Sequence, residues 1–392
     1  MIRKLTDLDL YDKTVFLRVD FNVPIKDGKV GEAHRIESAL PTIRFLLERA
    51  NKVIIASHLG RPEGKVVNKY SLAPVQRHLQ ESLKLPVAMA TDCVGPAVES
   101  LVQTTDSKIV LLENLRFHPE EEKNEQGFCR ALAALADVYI NDAFGAAHRA
   151  HASIAGIANH FKSKAAGLLL QKELDYLGPL LANPTKPFVT ILGGAKVSDK
   201  IGVIKNLLPK ISSLLIGGGM AYTFLKANGI EIGKSLLERD KIALAGELME
   251  QAKQFGVELI LPVDHVAGDS EKKDPLSFDG AIPADRVGLD IGPKTAQIFV
   301  DKIKQAKLVL WNGPVGLFEV APYDQGSRAL AQALAESHQT VTGIIAGGDT
   351  VAAVSTAGVG SRIAHLSTGG GATLEFLEGK ILPGIKALDD QP

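Results

Sequence analysis

Cysteine is nearly absent from this sequence, with Cys93 and Cys129 the only two in 392 residues. That excludes a disulfide framework and a cysteine-built zinc module, and both residues are expected to be plain buried thiols. An excess of charge of either sign is also missing. Lys+Arg number 44 against Asp+Glu 45, a net charge of −1, which removes the broad basic footprint of a nucleic-acid binder and leaves anion binding to local clusters. No apolar run reaches spanning length, and the N-terminal MIRKLTDLDLYDK has no apolar signal core. A soluble, cytoplasmic protein with neither membrane nor nucleic-acid partners is expected. Short-period repeats and low-complexity tracts are absent too.

What is present is a globular composition, 45% hydrophobic and 23% charged with 37 glycines. The length exceeds one ordinary core, so two domains of roughly 150–200 residues are expected. Short β-branched runs alternate with amphipathic stretches, which argues parallel sheets with helices on both faces. Strands are predicted at 14–22, 53–57, 86–90, 108–113 and 138–141, then at 188–192, 213–216, 258–262, 308–311, 342–346 and 364–367. Helices are predicted near 36–49, 72–83, 126–136, 201–207, 220–227, 239–255, 294–305, 325–336 and 350–356, and 374–382 also reads as helical. Residues 168–182, LLLQKELDYLGPLLA, carry a helical pattern that Asn183-Pro184-Thr185-Lys186-Pro187 breaks. The expected class is α/β: two doubly wound, Rossmann-like parallel-sheet domains facing each other across a cleft. Their expected limits are 1–170, a linking helix and hinge at 171–187, 188–372, and a C-terminal segment 373–392.

The stretch Phe188–Lys200, FVTILGGAKVSDK, organises the second half. A buried strand stops at two glycines, and a helix is expected to begin with Lys196 and Lys200 on its first turn, a phosphate cradle. In open α/β sheets ligands bind beyond the carboxyl ends of strands. In the first half those ends are basic: Asp20-Phe21-Asn22 with Arg35 opening the next helix, His58 and Arg61, Arg116, and then His148-Arg149-Ala150-His151. Guanidinium forks suit carboxylate and phosphate oxygens, so a small molecule bearing both fits such a basin. His148 and His151 also have a spacing that metal ligands use, and Arg18, inside a strand, can be an ion-pair member instead of a contact. In the second half the ends carry glycines: Gly217-Gly218-Gly219, Asn312-Gly313-Pro314, Gly347-Gly348-Asp349-Thr350 and Gly369-Gly370-Gly371. Asp349, a carboxylate beside a phosphate-binding Thr350, is the natural magnesium ligand. Standard nucleotide signatures fail: Gly229–Ser235 is one residue short of a Walker A loop, and Gly217–Tyr222 lacks the third glycine of a dinucleotide fingerprint.

The segments RVDFNVP, SHLGRP, ENLRF, GGAKVSDK, NGPVGLFE, GGDT and STGGGATLE, in this order along nearly the whole chain, resemble the phosphoglycerate kinase family. The resemblance implies a phosphotransferase with a carboxyl group as acceptor, transferring phosphoryl reversibly between 1,3-bisphosphoglycerate and Mg-ADP to give 3-phosphoglycerate and Mg-ATP in glycolysis. It implies a monomer that closes about a hinge before in-line transfer, with the C-terminal segment 373–392 returning to the first domain. Asp20, Asn22, Arg35, His58, Arg61, Arg116 and Arg149 would then bind 3-phosphoglycerate. Arg35, Lys196 and the backbone of Gly370 and Gly371 would attend the group in flight. The nucleotide would fall to Lys200, Gly217, Gly218, Leu289, Asn312, Pro314, Leu317, Glu319, Gly347, Gly348, Asp349 and Thr350, with Asp349 holding Mg2+. Asp199 sets a negative charge between the two lysines and bears on how strongly Lys200 binds. The competing readings are a dehydrogenase, disfavoured by the missing fingerprint, and a non-catalytic regulator that binds a nucleotide or sugar phosphate on the same fold. Lys196, Asp349 and Arg35 speak against loss of turnover.

Overall fold

The structure is a computed structural model that describes residues 2–389. It divides into two compact units, one running to Asp175 and resuming at Ile381, the other spanning Tyr176–Lys380. In the first unit β1 (Thr14–Arg18) is followed by a two-strand ribbon, β2 (Ile25–Lys26) and β3 (Lys29–Val30), then α1 (His34–Arg49) and β4 (Lys52–Ala56). After these come α2 (Ala73–Leu83), β5 (Val87–Met89), α3 (Pro96–Thr104), β6 (Ile109–Leu111), the short α4 (Pro119–Glu122) and α5 (Gln126–Ala133). β7 (Val138–Asn141) and β8 (Lys164–Ala166) complete a six-stranded sheet of order β5-β6-β4-β1-β7-β8. Every pairing in it is parallel. Because helices cover both faces, β6 and β7 are buried at every residue and β1 and β4 at all but the first, which is why these strands read as unbroken apolar runs.

α6 (Leu168–Ala182) carries the chain out of the first unit, and the division between units falls inside it. Its start is tied down by Asp142, whose Oδ1 accepts from the Leu169 and Leu170 amides at 2.9 and 3.1 Å, while Leu168 N donates to Thr42 Oγ1. These are amides that a helix leaves without internal partners.

The second unit repeats the plan with an insertion. β9 (Phe188–Leu192), α7 (Ile201–Leu207), β10 (Ser213–Ile216), α8 (Ala221–Ala227), α9 (Ile242–Gln254) and β11 (Glu258–Ile260) build one side. The chain then makes an antiparallel three-stranded sheet from β12 (Asp264–Gly268), β13 (Leu276–Asp279) and β14 (Val287–Ile291). It continues as α10 (Pro293–Gln305), β15 (Leu308–Asn312), α11 (Gln325–Glu336), β16 (Thr342–Ala346), α12 (Gly348–Thr356), β17 (His365–Leu366) and α13 (Gly371–Leu377). The six-stranded parallel sheet has the order β11-β10-β9-β15-β16-β17, so its strand order reverses between β9 and β15. Trp311 on β15 is fully buried in a core that joins Ile191, Phe299 and Leu334. The last helix, α14 (Pro383–Lys386), belongs to the first unit, where Asn141 Nδ2 donates to Gly384 O at 3.5 Å.

Three local expectations need correction. The helix after the cradle begins at Ile201, so Lys196 lies in the loop and Lys200 is the residue before the helix. The segment 374–382 is not one helix, because α13 ends at Leu377 and Gly379 takes φ 84°. Strand β1 stops at Arg18 instead of running to 22, where the chain turns to offer its side chains.

Candidate active site

In the first unit the predicted basic residues do gather beyond the carboxyl ends of β1, β4 and β6. Arg35 Nη1 donates to Asp20 Oδ2 at 2.8 Å, and His58 Nε2 stands 3.9 Å from Asp20 Oδ1. Asn22 Oδ1 accepts from Gly60 N at 2.8 Å, and Arg116 Nη1 donates to Gly60 O at 2.9 Å, so three strand ends are laced together. Arg61 and Arg149 are exposed.

Beneath these residues lies a buried layer. Arg18 is wholly buried, donates from Nε to Ser153 Oγ at 2.7 Å and reaches His58 Nδ1 with Nη2 at 3.2 Å. Ser153 in turn donates to Glu121 Oε1 at 2.6 Å. A guanidinium only donates, so His58 Nδ1 accepts and its proton sits on Nε2, on the side of Asp20. Burial, and then the positive charges of Arg18, Arg116 and Arg35, hold the His58 pKa well below the usual histidine value. Imidazole is therefore neutral here. Burial likewise lowers His151 to about 3, and His151 Nδ1 is 4.0 Å from Glu121 Oε1.

The second unit places its glycine turns where the strand order reverses. β9 and β15 pair with Leu192 opposite Asn312, so the turns that follow lie back to back. A Cβ on Gly193 would sit 2.2 Å from Pro314 O, and one on Gly313 would sit 2.2 Å from Gly193 O. Only glycine permits that approach. Beside the turns opens a cavity of about 330 Å³, lined by Gly194, Gly218, Leu289, Pro314, Leu317, Glu319 and Asp349 among others.

The two lysines differ in place. Lys196 is exposed, whereas Lys200 is buried and donates to Asn312 Oδ1. Burial lowers Lys200 to about 8, against the opposing charges of Asp199 and Asp349. Thr350 Oγ1 accepts from Gly313 N at 2.7 Å, and the buried Asn312 Nδ2 has no hydrogen-bond partner among the described residues. Gly347, φ 89°, passes close to both Asn312 and Thr350. Gly370 and Gly371 open α13, which packs on α7 through Asn206 Nδ2 donating to Leu377 O at 2.7 Å.

A model of the phosphoglycerate kinase family matches residues 5–380. The chain belongs to the phosphoglycerate kinase family. It is 52% identical to the phosphoglycerate kinase of Anaeromyxobacter sp. strain Fw109-5 over 99% of both chains, and 52% identical to that of Acidobacterium capsulatum over 99% of both. Among solved structures it resembles phosphoglycerate kinase from Coxiella burnetii, with TM-score 0.88 and 41% identity over 99% of each chain. The enzyme from Pyrococcus horikoshii OT3 gives TM-score 0.82 and 31% identity over 99% of this chain and 98% of that one. The activity is that of the family: reversible phosphoryl transfer between 1,3-bisphosphoglycerate and ADP, a glycolytic transfer with a carboxyl group as acceptor.

Sequence reading missed much of the cavity wall. Tyr222, Leu236, Val287, Gly288 and Phe318 line it as well, and Gly288 belongs there because a Cβ would meet Tyr222 Oη at 2.2 Å. Val287, Gly288 and Leu289 come from β14, in the antiparallel insertion whose β13 is only four residues long and largely exposed. Gly217, Gly347, Gly348, Asn312, Lys200 and Thr350 do not line the cavity. Gly217 backs onto Val315, and Thr350 is spent on the Gly313 amide.

Proposed function

We propose that the basin of the first unit holds 3-phosphoglycerate through Asp20, Asn22, Arg35, His58, Arg61, Arg116 and Arg149, and that the cavity of the second takes the nucleotide. The observation that carries this reading is the cavity at the β9/β15 reversal, walled by Leu289, Pro314 and Leu317 and edged by Glu319 and Asp349. The apolar residues suit the faces of a base, and Glu319 suits a ribose hydroxyl. Lys200 and Asn312 stand behind the glycine turns, where a cation and an unsatisfied amide donor favour phosphate. Gly217, Gly218, Gly347, Gly348 and Thr350 shape those turns.

Asp349 is exposed on the first turn of α12 and also borders the cavity. One carboxylate together with substrate phosphates is the kind of oxygen set Mg2+ accepts, so Asp349 fits as its protein ligand. The ion would neutralise phosphate charge there.

The transfer itself needs no general base, because the attacking oxygen of 3-phosphoglycerate is already an ionised carboxylate. It attacks the γ-phosphorus of ATP as the bond to the β-phosphate oxygen breaks, and ADP departs with that electron pair. The loose transition state spreads negative charge over the equatorial oxygens, so positioning and charge complementarity supply most of the catalysis. Arg35, Lys196 and the amides of Gly370 and Gly371 serve as those donors. Because acceptor and nucleotide residues belong to separate units, transfer requires the units to bring them together. α6 and the Gly369–Thr373 turn are the proposed hinges, and the protein acts as a monomer without nucleic-acid partners.

A coupled ATP-consumption assay with 3-phosphoglycerate tests the assignment. Lys196→Ala should lower kcat about 10²-fold or more, the order seen on removing a preorganised donor, while ATP affinity changes little. An unchanged kcat would remove Lys196 from the transition state.

A further inference from the structure

The strand-end rule that locates the basin also brings together residues with no part in the proposed transfer. Strands β5 and β6 are parallel neighbours, Met89 beside Leu111. The turn after β5 carries Asp92 and Cys93, and the segment after β6 carries His118. The two are stitched by Glu113 N donating to Asp92 O at 3.2 Å. One ligand-type atom from each of Asp92, Cys93 and His118 lies within 4.8 Å of the others.

His118 Nε2 is 2.7 Å from Asp92 Oδ1, and its ring is stacked on Phe128 with centroids 5.3 Å apart. On the far side of that ring, Nδ1 is 3.9 Å from Glu120 Oε2, a buried carboxylate oxygen with no hydrogen-bond partner among the described residues. Cys93 is fully buried, while the Asp92 and His118 side chains retain 48% and 27% exposure and leave a route from solvent.

We propose that Asp92, Cys93 and His118 form a binding site for a divalent transition metal ion of the zinc class, with Glu120 orienting His118 from the second side. Sulfur, imidazole nitrogen and carboxylate oxygen together select a borderline-soft ion such as Zn2+ or Co2+ over Mg2+. Around a tetrahedral ion, ligand atoms stand roughly 3.2–3.8 Å apart at the usual bond lengths, so the Asp92–His118 pair opens by a fraction of an ångström, and the Cys93 sulfur, within 4.8 Å of both, is in reach of the same ion. A metal-bound histidine typically gives its other ring N–H to a carboxylate, which is the position Glu120 occupies. On binding, the Cys93 thiol loses its proton to solvent as the metal–sulfur bond forms. His118, which donates from Nε2 to Asp92 before the ion arrives, changes tautomer through solvent so that its proton sits on Nδ1, facing Glu120, and the freed Nε2 lone pair goes to the ion. Three protein ligands leave the fourth position to water.

The test is optical titration of the purified, chelator-stripped full chain with Co2+. The site predicts saturation near one ion per chain, with the intense visible bands of tetrahedral cobalt and a near-ultraviolet thiolate-to-cobalt band, all displaced by Zn2+. Cys93→Ser should abolish the thiolate band and Cys129→Ser should keep it. His118→Gln should abolish tetrahedral binding, and Glu120→Gln should weaken it by about 10–100-fold, the range for outer carboxylates. Kinase turnover and circular dichroism report whether each variant folds, and His118→Gln decides the matter should Cys93→Ser not fold. No thiolate band at excess Co2+, a band surviving Cys93→Ser, or unchanged binding in folded His118→Gln overturns the proposal.

Discussion

Lys196 and Lys200, four residues apart, are different chemical groups once folded. Lys196 is exposed, while Lys200 is buried against Asn312 and titrates at about 8. The direction is set by burial, which disfavours the ammonium. Lys200 is therefore charged below about pH 8 and loses its charge as the pH rises further. The KM for ADP should climb through that range in the native protein. In Lys200→Arg, whose guanidinium stays protonated, the profile should be flatter, and a native profile flat from pH 7 to 9 would show that Lys200 does not hold phosphate. Residue spacing alone made the two lysines look interchangeable, because no local pattern reveals that Lys200 is buried against Asn312, 112 residues along the chain. Arg18 was legible only as a charge within a strand. Its contact with His58 joins residues 40 apart, a distance no local pattern crosses.

At the scale of elements, the glycine turns after β9 and β15 interlock. Gly193→Ala would drive a Cβ to 2.2 Å from Pro314 O and 2.5 Å from Gly313 O, both backbone atoms that cannot swing away. Overpacking of this kind costs about 1–3 kcal/mol, so urea melts should show that loss together with weaker ADP binding. Gly246→Ala is the contrast. It lies inside α9 with nothing within 4 Å of a new Cβ, and it should stabilise by up to about 1 kcal/mol from helix propensity. If the two substitutions behave alike, backbone contact is not what selects glycine at 193.

Asp142 at the start of α6 supplies a pH signature. Burial raises its pKa to about 6, against hydrogen bonds from Thr42, Leu170 and Leu169 that lower it. The folded state thus holds this proton more tightly than the unfolded chain, whose aspartate titrates near 3.9. Stability from this group is full below about pH 4 and is lost as the pH rises through about 6. Asp142→Asn should remove that decline from the urea midpoint, and a decline of native size in the variant would exclude Asp142 as its source. The parallel strands were legible at this scale because burial on both faces leaves apolar runs. β8, β12, β13 and β14 were not, since each carries a charged residue at or next to an end, Lys164, Asp264, Asp279 and Asp290, and none presents an unbroken apolar run.

At the scale of the whole molecule, two sheets of the same plan carry opposite chemistries beyond their strand ends, arginines in one unit and glycines in the other. That division was legible in the sequence, because ligand residues cluster after strands in this class of fold. The antiparallel wall of the cavity at the β9/β15 reversal was not, since it enters from an insertion that the parallel plan does not require. The central claim is that transfer occurs only when the two units close on both substrates. Small-angle X-ray scattering of the full chain tests it most directly, comparing apo protein, each substrate alone, and 3-phosphoglycerate with a non-hydrolysable Mg-ATP analogue. The radius of gyration should fall with both ligands and fall less with either one. An unchanged radius at saturation with both would contradict closure, and with it the assignment of one reaction to residues of two units.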